Sequence, residues 1–271
     1  MIGILHSPGV ERRALRMGAS MLLVPEAWRS KKPRTGRTAA RKEKECSCSS
    51  YYHFVDGHTP HTPKGQRIVT ADHKPAYTSE EALVRLKEGN ARFVSGEARF
   101  PTVQKEVLAD LAKGQQPYAT ILGCSDSRVP PELVFDAGFG ELFVVRVAGN
   151  VLGPSIMGSL QYAGAHLHTP LFVVMGHEGC GAVKAAIASK FHGTIQKSRI
   201  AVLLENILPA LDDLDQTLSP DALLSAAVEA NVRWTIGALL ETPEAKARMT
   251  EGGMKLVGAV YDLSTGRVRF L

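Results

Sequence analysis

Two short runs carry the residues best able to do chemistry. CSDSRV begins at Cys124 and HEGCG begins at His177, and together they offer Cys124, His177 and Cys180. Two thiolates and an imidazole form a soft ligand set that suits zinc and leaves a fourth tetrahedral position open for water. Two thiolates also neutralise the formal charge of the ion. Such a site acidifies water less than three neutral histidines would, so it needs help from its surroundings. Asp126 stands two residues after Cys124, placed to accept a hydrogen bond from water at the open position. Arg128 supplies a planar guanidinium that can hold that carboxylate bidentately, keeping it ionised and off the metal. Spacing alone leaves a second arrangement open: a closed site with Asp126 as fourth ligand, a zinc-stabilised scaffold that turns nothing over.

The elements around these runs must bring residues 53 apart in sequence together. YATILG ends at Cys124, LFVVRV covers 142–147, a helix is predicted over about 155–167, and LFVVM ends just before Gly176-His177. Short continuous apolar runs separated by helical segments predict a parallel sheet buried on both faces. In such open sheets ligands bind beyond the carboxyl ends of the strands, where Cys124 and His177 both fall. A helix starting near Cys180 would set that thiol at a positive helix terminus, which favours its ionised form.

Flanking helices complete the expected layers. Thr78 and Glu81 form a capping box before Leu83, Leu86, Asn90 and Phe93. Val107, Leu108 and Leu111 mark a second helix stopped by Gly114, and both helices are expected to pack by their apolar faces. Ile200, Leu203, Leu204, Ile207 and Leu211 predict one amphipathic helix. Ser219-Pro220 opens another, carrying Leu223, Leu224, Ala227, Val228, Val232 and Leu239. KLVGAVYD, a turn at Ser264-Thr265-Gly266, and RVRFL read as a strand followed by an antiparallel edge strand. The fold class is therefore α/β: an open, mainly parallel β-sheet with an antiparallel edge strand, flanked by α-helices. Neither G-x-G-x-x-G nor a P-loop is present.

Charge divides the chain. Residues 1–50 carry 11 Lys and Arg against 4 Asp and Glu, so of the overall +5 they hold +7 and the remaining 221 residues hold −2. The basic balance belongs to the leader, and no basic face argues for nucleic acid. No apolar run approaches the roughly 20 residues of a membrane span. Residues 1–75 have six prolines and no sustained periodicity, and read as a basic, disordered leader ahead of a domain at 76–271. Arg12-Arg13 before a short apolar patch is a faint twin-arginine pattern, and the Arg-rich composition a faint organelle-targeting one. Glu26, Glu43 and Glu45 interrupt both, so the location expected is cytoplasmic. Four dispersed cysteines do not make a disulfide framework. Cys46 and Cys48 read as free thiols, and His53, His58 and His61 as solvated side chains.

CSDSRV followed by HEGCG at this separation resembles the β-class carbonic anhydrases, from about Ser79 to Leu271. The resemblance implies reversible hydration of carbon dioxide to bicarbonate by attack of zinc-bound hydroxide, with Cys124, His177 and Cys180 holding one Zn2+ per subunit and Asp126 with Arg128 as the catalytic pair. It further implies that Gln115 hydrogen-bonds a substrate oxygen and that Phe143 and Tyr162 are the pocket's aromatic residues. Gly149 and Gly181 are expected to allow close backbone approach near the site, Gly181 on the substrate side. It implies a homodimer or homotetramer whose site lies near an interface, with Tyr162 or Gln115 given by the partner. A hydrolase of carbon disulfide or carbonyl sulfide on the same fold is the alternative within this chemistry. His166 and His168 offer no clear proton shuttle.

Overall fold

The computed structural model describes residues 76–99 and 105–271. The leader, with Cys46, Cys48, His53, His58, His61 and its targeting patterns, lies outside the described residues. Helix α1 (Ser79–Ser95) starts at a complete capping box. The Glu81 amide donates to Thr78 Oγ1 at 3.2 Å and the Thr78 amide donates to Glu81 Oε2 at 2.8 Å. Gly96 ends it in the left-handed conformation that glycine adopts at low cost. There follow α2 (Lys105–Leu111), β1 (Ala119–Gly123), α3 (Pro131–Val134), β2 (Leu142–Arg146), a 3₁₀ turn at Ala148–Asn150, and α4 (Pro154–Ala165). Then come β3 (Leu171–His177), α5 (Gly181–His192), α6 (Arg199–Glu205), a 3₁₀ turn at Leu208–Leu211, α7 (Pro220–Leu240), α8 (Pro243–Thr250), β4 (Lys255–Tyr261) and β5 (Val268–Phe270).

The sheet order is β2-β1-β3-β4-β5, with β5 alone antiparallel. Every residue of β1 and of β3 is buried, as a central parallel strand covered on both faces requires. Gly123 is level with Met175, so Cys124 and His177 leave neighbouring strands at the same end of the sheet. The α/β architecture and its antiparallel edge are those expected from the sequence.

Three local expectations are corrected. The helix predicted through Leu211 ends at Glu205 and resumes as a 3₁₀ turn, because Pro209 lacks an amide hydrogen and disfavours helical backbone before it. Leu204, Ile207 and Leu211 still reach the core. The strand predicted to stop before Gly176 continues through His177, which pairs with Tyr261. Finally, α2 does not bury its apolar side: Val107 is 45% and Leu108 51% exposed. Among the described residues, no helix is long and apolar enough to cross a membrane.

Candidate metal centre

Cys124, His177 and Cys180 converge. Their ligand atoms lie within 4.8 Å of one another and all three residues are buried. Each position has a separate cause. Cys124 is the first residue past β1, His177 the last of β3, and Cys180 the N-cap of α5, reached through a tight turn in which Gly179 has φ 66°. The His177 ring is oriented for metal binding. Nδ1 lies 2.9 Å from the Glu178 carbonyl and is therefore the protonated nitrogen, leaving Nε2 with its lone pair in the pocket. Among the described residues Nε2 is buried with no hydrogen-bond partner, an arrangement a cation would satisfy.

The electrostatics agree with this. The two sulfurs are 4.0 Å apart. The hydrogen bond from the Cys180 thiol holds the Cys124 pKa far below the usual thiol range against burial, with His177 and the Gly149 amide assisting. The same bond, with burial, pushes Cys180 up. The amides of Ala182 and Val183, at the start of α5, pull Cys180 toward ionisation as the helix terminus was expected to do, but they are outweighed by its partner. Burial works against charge on His177, yet Cys124 more than offsets it and its pKa is raised. The pocket favours positive charge, and a soft dication would displace the remaining thiol proton.

Asp126 is held beside this group and is not one of its members. Arg128 grips it with Nε to Oδ1 at 2.9 Å and Nη2 to Oδ2 at 2.7 Å, while the Arg128 amide adds a bond to Oδ1 at 3.0 Å. Oδ2 keeps a lone pair on the side of His177, whose Nε2 is 3.9 Å away. The Arg128 bonds keep the Asp126 carboxyl well below the usual carboxylate range despite some burial. This is the geometry of a carboxylate restrained by its neighbour beside His177.

Sequence reasoning missed Arg146. Its Nε donates to the Cys124 carbonyl at 2.9 Å and its Nη2 to the Asp126 carbonyl at 2.6 Å, fixing the loop that carries both side chains. The signal was present: an arginine inside the apolar strand LFVVRV. Gly149 fulfils its expected role. It has φ 70°, its amide donates to Cys124 Sγ at 3.3 Å, and a Cβ there would sit 2.8 Å from Ile207 Cδ1. Gly181 does not pack closely as expected, because a Cβ there would meet nothing within 4 Å.

Gln115, Phe143 and Tyr162 are not gathered at their own chain's metal group. Phe143 is level with Thr120, four residues before Cys124, or roughly 13 Å down the strand at about 3.3 Å per residue. Its ring lies 6.2 Å from that of Tyr162, which is 47% exposed and also sits 5.0 Å from the His166 ring. Gln115 is exposed in the loop that enters β1, at the opposite end of that strand from Cys124.

A family model described as carbonic anhydrase matches residues 119–268 of the chain. Carbonic anhydrase 2 of Mycobacterium tuberculosis is 38% identical over 188 residues, which cover 67% of this chain and 87% of that protein. The carbonic anhydrase of Mycolicibacterium smegmatis is 38% identical over 187 residues, covering 68% and 88%. In structure the chain is similar to the β-carbonic anhydrase CafA of Aspergillus fumigatus, with a TM-score of 0.56, 29% identity, and coverage of 71% of this chain and 89% of that one.

Proposed function

Because the chain belongs to the β-carbonic anhydrase family, which depends on zinc, we propose that Cys124, His177 and Cys180 hold one Zn2+ per subunit and that Asp126 and Arg128 form its catalytic pair. The activity is the reversible hydration of carbon dioxide to bicarbonate and a proton. One observation carries the assignment of residues: three soft donors converge in a buried pocket, with a carboxylate clamped beside them by an arginine. Zinc bound there would supply the Lewis acidity that makes water nucleophilic near neutral pH.

The chain's own groups do the rest. The free lone pair of Asp126 Oδ2 accepts a hydrogen bond from the attacking water and turns an oxygen lone pair toward the carbon of carbon dioxide. Arg128 keeps that carboxylate ionised and aimed. The new carbon–oxygen bond gives bicarbonate, and the proton released passes to solvent. A closed scaffold would need Asp126 to leave a bidentate arginine and take the open position, so the clamp favours turnover over the scaffold.

The positions of Gln115, Phe143 and Tyr162 support a homodimer in which each chain's set completes its partner's substrate pocket, with Gly181 leaving space beside the ligands. The apolar surface near Gln115 fits an interface: Val107, Leu108 and Phe139 are exposed, and Val107 and Phe139 border a cavity of about 440 Å³ that also touches Gln116. Replacing both Val107 and Leu108 by aspartate is expected to shift the protein toward monomer in light scattering and to lower turnover at least tenfold while zinc content holds. Full activity from a monomer would contradict this. Thiolate ligands suit a reducing compartment, which is the ground for a cytoplasmic location.

Stopped-flow hydration of carbon dioxide by purified protein of known zinc content tests the function. Turnover proportional to zinc is expected, with carbonyl sulfide and carbon disulfide poorer substrates; full zinc occupancy without hydration would reject it. The same assay on a chain starting at Ala76 tests whether residues 76–271 are the catalytic unit, and loss of folding there would give the leader a structural role.

A further inference from the structure

The turn at Ala148–Asn150 is held from α7 while it touches the metal centre. The Gly149 amide donates to Cys124 Sγ at 3.3 Å, and the carbonyl of the same residue accepts from Asn231 Nδ2 at 2.8 Å. Thr235 Oγ1 donates to the next carbonyl, that of Asn150, at 3.5 Å. Gly149 and Asn150 are consecutive left-handed residues, with φ of 70° and 45°. Backbone of that kind persists only where its surroundings over-determine it.

Asn231 and Thr235 stand four apart, on one face of α7. That face is otherwise apolar: Leu223, Ala227, Val228, Val232 and Leu239 are buried along it, and the two polar residues are 0% and 2% exposed. Asparagine and threonine are poorer helix formers than the residues a core would select there, and a buried amide must find a partner. Only the NH2 side of Asn231 can face the Gly149 carbonyl, so the side chain's orientation follows from its partner.

We propose that Asn231 is a positioning residue for the metal centre. By holding the Gly149 carbonyl it keeps the Gly149 amide on the Cys124 sulfur, and through that bond it sets how much electron density Cys124 gives a bound metal. The inference rests on the reading of Cys124 as a ligand. An N–H donor draws density from a thiolate and fixes its direction. Without that donor the sulfur becomes a stronger donor of charge and a less well-placed ligand.

The test uses the full chain loaded with Co2+, whose sulfur-to-cobalt charge-transfer band reports thiolate donation. Asn231→Leu keeps the volume and removes the donor. Its band is expected at longer wavelength than in the wild type, with metal dissociation about tenfold stronger or more in competition with a chromophoric chelator. Leu239→Ala is the packing control, two turns later on the same face, where it lines a cavity with Met157, Leu160 and Phe172; its band should not move. If leucine at 231 prevents folding, Asn231→Ala carries the test, because it removes the donor to the Gly149 carbonyl without adding bulk. An unmoved band with unchanged affinity in a folded variant at 231 overturns the proposal. So does an equal shift in Leu239→Ala, which would mean general loosening. A wild-type protein that takes up Co2+ without any sulfur-to-cobalt band would instead reject Cys124 as a ligand.

Discussion

Replacing Cys124 by serine is expected to empty the metal site and abolish carbon dioxide hydration. Serine removes a thiolate that is already poised to ionise, and puts in its place a hydroxyl that neither the Gly149 amide nor His177 can ionise at neutral pH. Zinc content measured after dialysis should fall to a few per cent of wild type, and stopped-flow turnover should fall with it. The fold should survive. Cys124 lies at the end of β1 and not in its ladder, so far-ultraviolet circular dichroism should be nearly unchanged. A variant that retained both zinc and turnover would remove Cys124 from the ligand set.

The second large effect separates chemistry from metal binding. Asp126→Ala should retain zinc, because the three donors meet without it, yet lose two to four orders of magnitude in turnover, the range for losing a positioned acid–base group, ~10²–10⁴-fold. Arg128→Ala should follow in the same direction by a smaller factor, since Asp126 would keep its charge but lose its aim. Sign matters for acid stability as well. The clamp holds the folded-state pKa of Asp126 below its unfolded value. Its contribution is therefore present above the unfolded carboxylate pKa and lost as pH falls through the folded one. Near-normal turnover in Asp126→Ala would contradict the role assigned to the carboxylate.

The convergence of Cys124, His177 and Cys180 and the Asp126–Arg128 pairing were legible because each motif is local. CSDSR holds a ligand, an acceptor and a clamp within five residues, and the apolar runs before it and before His177 announce strands. What was not legible acts at a distance or between surfaces. Asn231 meets a carbonyl 82 residues away, and its only sequence trace is a polar residue in phase with a buried stripe. Arg146 could be seen as out of place in a strand, but its two carbonyl partners could not. Val107 and Leu108 were misread because helical spacing tells which side is apolar, not which surface covers it. The helix through Leu211 failed at Pro209, where apolar periodicity continued although the backbone could not.

The arrangement of three protein ligands is tested most directly by zinc-edge X-ray absorption on the full-length protein at neutral pH. Two sulfur scatterers at about 2.3 Å and two nitrogen or oxygen scatterers at about 2.0–2.1 Å are expected, with one sulfur lost in any Cys180→Ser protein that retains metal. A wild-type spectrum with a single sulfur, with four sulfurs, or with no zinc bound would contradict a centre built from Cys124, His177 and Cys180.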